Sequence, residues 1–387
     1  MFKKVTLQDW EDVVKKQLKT DDIYAILQKE NLEGLSVKPY YDSVSKPLQN
    51  LPKVEESTHL VAKYHSSLEG EVYAFLLDEN VEGLEDKSLF INNKELAEHI
   101  SPSEDDRYFS LIDVFDEKSG TLNLQLAKEL LAKDFQRNIA VDISFHQNGG
   151  ASIIQQIAIV LAKVKELVEV FGSEIFQKII FKVAIGSNYF FEIAKIRALK
   201  LTFNQLTKEH GLNEIPYIFA ETSLRNKTVH DEENNLIRST LELAAGMIGG
   251  ADAVFSNDYK IDNGNELSDE ISFKQQIVLA YESIINVFED AANGSYYVED
   301  LTGQMAEKSW QYFLEIENNG GYIENLKTGK IQKDIYNQAV AEQNWVKDGK
   351  IKLIGINLYP TLETKTSAED LYSENEIKEV RWSEMYE

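Results

Sequence analysis

His146 is the residue best placed to do chemistry. It stands in Phe145-His146-Gln147-Asn148-Gly149-Gly150, directly after the apolar run Ile139–Ser144. If that run is a strand of a parallel barrel, His146 lies past its carboxyl end, where such folds build their sites. An imidazole there can donate a hydrogen bond to a carbonyl, or act as acid or base near neutral pH. Arg225 and His230 form a second candidate, in the stretch Glu221–Asp231 that follows the apolar run Ile215–Ala220. Cations and hydroxyls in that loop could bind an anion, while Asp231, Glu232 and Glu233 favour the start of the next helix. Each candidate has a plainer reading: a loop histidine satisfied by backbone groups, and a long loop that is capped and solvated. The chain has no Cys, which excludes disulfide and thiolate chemistry. It also has no His/Glu metal spacing, no GxSxG and no P-loop.

The elements that must position these residues are clearest between Lys178 and Asn257. Lys178–Ile185, Ile215–Ala220 and Ala251–Phe255 are apolar runs that do not alternate, which is the signature of strands covered on both faces. Helices separate them, from Tyr189 to about Leu206 and then through Ile237, Leu241, Ala244, Ala245 and Ile248, which share one face. Gly249-Gly250 ends the second helix. This is a βαβαβ unit. Upstream, Ile139–Ser144 and a strongly amphipathic helix over Ser152–Phe171 extend it, and a helix near Glu270–Phe288 follows it. Four consecutive βα units make half of a (β/α)8 barrel, and earlier strands could supply the rest. A doubly wound open sheet competes, but no GxGxxG follows the first strand.

The first half is less regular. Leu60–Tyr64, Val72–Leu77 and Phe109–Phe115 are expected as strands and Leu122–Leu131 as a helix, whereas Asp78–Arg107 is acidic without a helical period. Before these come two short helical runs in Met1–Gly34 and an extended strap, Leu35–Pro52, carrying three prolines. After the barrel, Tyr296–Ile316 and Ile331–Asn344 are helical, Ile351–Asn357 is strand-like, and Thr361–Glu387 is a polar surface tail. The expected organisation is an arm and strap over 1–52, a barrel over 53–295, and helices with an acidic tail over 296–387.

A formal net charge of −25 argues against nucleic acid as a partner, since that requires a basic footprint. It would also repel an anionic acyl thioester of coenzyme A unless a local basic cluster intervened. No apolar stretch approaches the length of a bilayer span and the N-terminus lacks a signal-peptide core, so a cytoplasmic setting is expected.

The segment Gly186-Ser-Asn-Tyr-Phe-Phe-Glu-Ile-Ala-Lys-Ile-Arg-Ala-Leu-Lys200 closely resembles the GxNxFxEIAKxRAxR segment of methylmalonyl-CoA mutases. Asn234–Thr240, Gly249–Ala253, Asn293–Tyr297 and Gly355–Tyr359 resemble the same family in the same order, and Trp10–Pro39 is similar to its N-terminal arm. The resemblance implies a TIM barrel whose axis is threaded by acyl-CoA. It also implies a radical interconversion of methylmalonyl-CoA and succinyl-CoA by adenosylcobalamin, which a further C-terminal domain holds.

Departures from the family pattern refine that expectation. Asn138 and His146 fall on the substrate-pocket Asn and His, although the loop after His146 is one residue shorter. The R-x-S that helps bind CoA stands here as Lys178-Ile179-Ile180, and the loop Gln becomes His230. The TIRQYAG strand, whose Tyr shields the radical, has no match in Lys53–Leu77, and no cobalamin-binding domain follows Tyr359. Asp142-x-x-x-His146-x-x-Gly149 is near the D-x-H-x-x-G loop that ligates cobalt, but its Asp is two residues too far away. A tunnel needs its anion-binding groups and its shielding aromatic together, because an exposed radical is quenched.

The expected fold is therefore α/β, a TIM (β/α)8-type barrel with an N-terminal helical arm, extra C-terminal helices and no cobalamin-binding domain. The expected role is the non-catalytic small subunit of a heterodimeric mutase whose large subunit carries the reaction. Adenosylcobalamin then belongs to the complex rather than to this chain, and acyl-CoA is a doubtful ligand. His146 and Asn138 are vestigial candidates, and Lys178, Arg225 and His230 are substrate-pocket candidates. Two alternatives stay open: a catalytic barrel working with a separate cobalamin-binding protein, and a barrel repurposed for another ligand at the Arg225/His230 loop.

Overall fold

Eight short parallel strands close into a barrel, in a computed structural model that describes residues 5–43, 50–103, 106–360 and 371–387. The barrel strands are β1 (His59–Lys63), β2 (Ala74–Leu77), β3 (Ser88–Ile91) and β4 (Arg107–Ser110), then, after a small antiparallel hairpin of β5 (Phe115–Asp116) and β6 (Thr121–Leu122), β7 (Ile139–Asp142), β8 (Ile179–Ile185), β9 (Tyr217–Thr222) and β10 (Ala253–Phe255). Strand pairing runs β4-β3-β2-β1-β10-β9-β8-β7, so the first and last strands meet as β1 and β10. Parallel bridges Phe109↔Arg137 and Asp113↔Ala140 join the β4 edge to the β7 edge.

The second half is regular because its sequence is. Ser152 and Gln155 form a capping box at the start of α6 (Ile153–Phe171), whose apolar stripe lies on the sheet. In α7 (Tyr189–Glu209) even charged residues are buried, and each has a partner. Lys195 meets the Ala184 carbonyl at 2.6 Å and Glu192 at 2.5 Å, and Arg197 is clasped by Asp290 and Glu299. The charges of the mutase-like segment thus fix a helix that is buried on nearly all sides. In α8 (Asn234–Gly249) Leu243, Ala245 and Met247 are buried, but Ile237 is 64% and Leu241 55% exposed. The expected single stripe is therefore split.

The first half departs from expectation. A 3-10 turn at Ser66–Leu68 is the only helical piece between β1 and β2, and none is assigned between β2 and β3. Strand β3 lies inside the segment expected to be irregular; its four residues are all buried, and they are too few for a period to show. The strand expected at Phe109–Phe115 is instead β4, two residues upstream, with Phe115 given to the hairpin. After β10, α9 (Glu266–Ile277) ends in a π-helical turn at Val278–Glu282, so the helix expected to reach Phe288 stops early. Ile351–Asn357 is no strand; it turns back on itself, with an isolated bridge between Ile354 and Leu358.

The bore of the barrel is filled. Side-chain direction alternates along a strand, so Val61, Ala74, Phe90, Phe109, Ala140, Ile180, Phe219 and Ala253 all point to the axis and form one apolar cluster. Phe90 stacks on Phe109 at 4.7 Å and reaches Phe219 at 5.1 Å, and Phe109 meets Tyr217 at 5.0 Å. The alanines on β2, β7 and β10 leave the room these rings occupy. One step towards the carboxyl end of the bore, the same inward positions carry Asp142, Lys182 and Glu221.

Candidate functional site

That polar layer closes the top of the bore. Lys182 reaches Asp142 at 3.0 Å and Glu221 at 3.4 Å, and the Ser144 hydroxyl donates to Asp142 at 2.6 Å. Burial alone would drive the Lys182 ammonium towards neutrality, but the two carboxylates outweigh it and hold its pKa above the ordinary lysine value. Burial likewise raises Glu221, whereas Lys182 and Ser144 overcome burial at Asp142 and hold it low. The arrangement is a desolvated ion cluster resting on aromatic rings.

His146 lies beside this layer on α5 (Ser144–Asn148), fully buried. Its Nε2 is 2.9 Å from the Tyr322 hydroxyl and 3.4 Å from Glu117, and Tyr322 donates to Glu117. Lys163 completes the network at 2.8 Å from Asp113 and 2.6 Å from Glu117. Burial would raise Glu117, but Lys163 and His146 together hold it well below the usual carboxylate range. The network ties the β5–β6 hairpin, α6 and α11 (Gly321–Lys327) over the carboxyl ends of the strands. Sequence reasoning missed Tyr322, Lys163 and Glu117, since nothing local marks them.

The structure separates the remaining candidates. Asn138 lies at the amino end of β7, where its amide donates to the Leu130 and Lys133 carbonyls at 2.8 Å each. Lys178 is exposed at the amino end of β8. Both are therefore at the end of the barrel opposite His146, Arg225 and His230. His230 is half-buried in the loop after β9.

Arg225 is taken up by the chain itself. Residues 371–387, expected as part of a surface tail, instead cross the carboxyl ends of the strands with Val380 and Ser383 almost fully buried; 361–370 lie outside the described residues. The Arg225 guanidinium donates to Glu342 at 2.7 Å, to the Val380 carbonyl at 2.8 Å and to the Tyr372 hydroxyl at 3.2 Å. The Trp382 N–H returns a bond to the Arg225 carbonyl at 2.8 Å. Gly150, at φ +98°, allows α12 (Lys330–Lys347) to pack this closely, because a Cβ there would stand 2.5 Å from that of Ala339. Arg225→Ala is expected to unlatch this C-terminal strap of residues 371–387, with cleavage after Lys378 or Arg381 by trypsin at least about tenfold faster than in the parent. Equal cleavage rates would remove Arg225 as the latch.

A sequence profile of the methylmalonyl-CoA mutase family matches residues 131–387. The methylmalonyl-CoA mutase small subunit of Porphyromonas gingivalis is 33% identical over 250 residues, covering 61% of this chain and 40% of that relative. A methylmalonyl-CoA mutase of Cereibacter sphaeroides is 29% identical over 245 residues, covering 60% and 35%. The large subunit of the Porphyromonas gingivalis mutase is 30% identical over 182 residues, covering 46% and 26%. Thus one organism has both kinds of subunit, and the matched part of this chain spans well under half the length of these relatives.

Proposed function

Because the chain belongs to the methylmalonyl-CoA mutase family, we propose that it is a non-catalytic small subunit, docking on and stabilising a large subunit that carries the isomerisation. One observation carries this reading: the bore is occupied by Phe90, Phe109, Tyr217 and Phe219, where an acyl-CoA would have to pass. A thioester cannot share that space with packed rings, since protein interiors are as dense as organic crystals.

The residues present do not fit adenosylcobalamin either. A corrin above the carboxyl end of the strands needs an open face, and here the hairpin and the 371–387 strap lie across it. His146 is held beneath Tyr322 with no exposed surface. The cofactor's place is accordingly on the large subunit.

The arm is the natural contact with that partner. In α1 (Leu7–Leu18) no residue is buried, and Val13 and Leu18 are exposed on an otherwise amphipathic helix. Such a stripe has too little apolar area to hold a fold alone and gains by covering.

The test is co-expression with a larger mutase-family chain from the same host. Co-purification as a heterodimer is expected, as is its loss when residues 1–32 are deleted. A complex assembled with His146→Gln in this chain should keep the parent kcat within about twofold, because the residue touches no substrate. A hundredfold fall in kcat with assembly intact would overturn the non-catalytic reading, and unchanged assembly without 1–32 would overturn the arm's role.

A further inference from the structure

One cavity has no part in this reading. It lies off the barrel axis at the carboxyl ends of β7, β8 and β9, has a volume of about 280 Å³, and is covered by the N-terminal segment, α12 and the strap. Phe191, Tyr297, Trp345 and Trp382 supply aromatic walls, and four carboxylates line it: Glu30, Glu33, Glu192 and Glu342.

The four acids are not equivalent, and Glu30 is paired with Lys350. Glu192 has Lys195 at 2.5 Å and Glu342 has Arg225 at 2.7 Å. Among the described residues no Lys, Arg or His forms an ion pair with Glu33. Its carboxylate instead accepts the N–H groups of Ile153 at 2.9 Å and Ile154 at 3.2 Å, at the first turn of α6. Those amides bring only partial positive charge, while Glu342 and Glu192 repel it. Burial, opposed by the two amides and reinforced by these like charges, pushes the Glu33 pKa up to about 7. The cavity therefore offers one uncompensated carboxylate among aromatic faces. At its mouth the chain shows what such a surface attracts: the Lys350 ammonium sits 4.8 Å above the Trp345 ring and 3.0 Å from Glu30.

We propose that this cavity binds a small organic monocation of the alkylammonium class, its charge towards Glu33 and its hydrocarbon groups against the aromatic walls. Aromatic faces favour weakly hydrated organic cations, whereas a hard metal ion needs several converging oxygens. The volume is near the lower bound of small-molecule sites and suits a compact ligand.

The test uses the purified full chain and two probes of nearly equal shape, choline and its neutral isostere 3,3-dimethylbutan-1-ol. Two of the four tryptophans, Trp345 and Trp382, line the cavity, so binding is read as saturable fluorescence change and checked by calorimetry. Choline should bind at least about tenfold more tightly than the alcohol, a gap of the size expected from pairing with a carboxylate plus cation–π contact. Glu33→Gln, which keeps an oxygen for the α6 amides, should weaken choline about tenfold and leave the alcohol unchanged. Lys350→Met, far from the fold's core, should tighten choline by removing the competing ammonium at the mouth. Equal affinity for the two probes, indifference of choline to Glu33→Gln in a folded variant, or no saturable response to either probe would overturn the proposal.

Discussion

Replacing Phe109 by alanine is expected to lower the stability of the chain by about 3–5 kcal/mol, the cost typical of deleting a buried aromatic ring. Phe109 is 1% exposed and stacks on Phe90 while touching Tyr217, so its removal takes away both its own burial and one wall of each neighbour's packing. The hole cannot readily collapse. The backbone around it is a closed ring of parallel strands, and Ala74, Ala140 and Ala253 have no side-chain length to lend. Chemical denaturation with parent-like slope and a lower midpoint is the measurement. A loss below about 1 kcal/mol would mean that the rings fill the bore only loosely, and the argument against an acyl-CoA passage would weaken with it.

Lys163→Met is expected to cost as much at neutral pH, again about 3–5 kcal/mol, because it strands Asp113 and Glu117 as buried carboxylates without their cation. Here the pH dependence separates the ionic cause from mere loss of packing. In the parent, Glu117 is held below its unfolded value, so its contribution is present above about pH 4.5 and is lost as pH falls through the folded pKa. In the variant Asp113 keeps the burial that raises it and loses the cation that opposes it, while Glu117 is left with only His146 against its burial. Both folded values rise, Asp113 further above its unfolded one than in the parent, and the variant loses stability as pH rises through and beyond about 4. The gap between parent and variant should therefore narrow markedly from pH 7 to pH 4.5 in paired urea titrations. A gap that stays constant over that interval would show that Lys163 matters only as bulk.

Much of the barrel was readable from its second half, where β8 and β9 are long apolar runs and α6 and α7 carry clear periods or buried charges. The first half resisted for a physical reason. Strands β2 and β3 have four residues each, shorter than any reliable period, and crossovers without helices remove the alternation that marks a parallel fold. The filled bore was invisible because Phe90, Phe109 and Phe219 are one letter each on three separate strands, and only the pairing register shows that they converge. Residues 371–387 read as a polar tail because their anchoring is sparse: Ile377, Val380 and Trp382 carry it, with Arg225 and Asn148 supplying the rest from distant loops. His146 was placed correctly past a strand's carboxyl end, yet its partners could not be foreseen, since Tyr322 lies 176 residues away. Glu33 gave no signal at all: an acid in an arm becomes distinctive only once it caps a helix in the barrel.

A barrel stoppered with interlocked rings also has little empty space to surrender. Hydrostatic pressure unfolds proteins by collapsing their internal voids. It would find less to act on here than in a barrel of the same architecture with an open bore, so the ring-filled axis makes a stiffer, less compressible body.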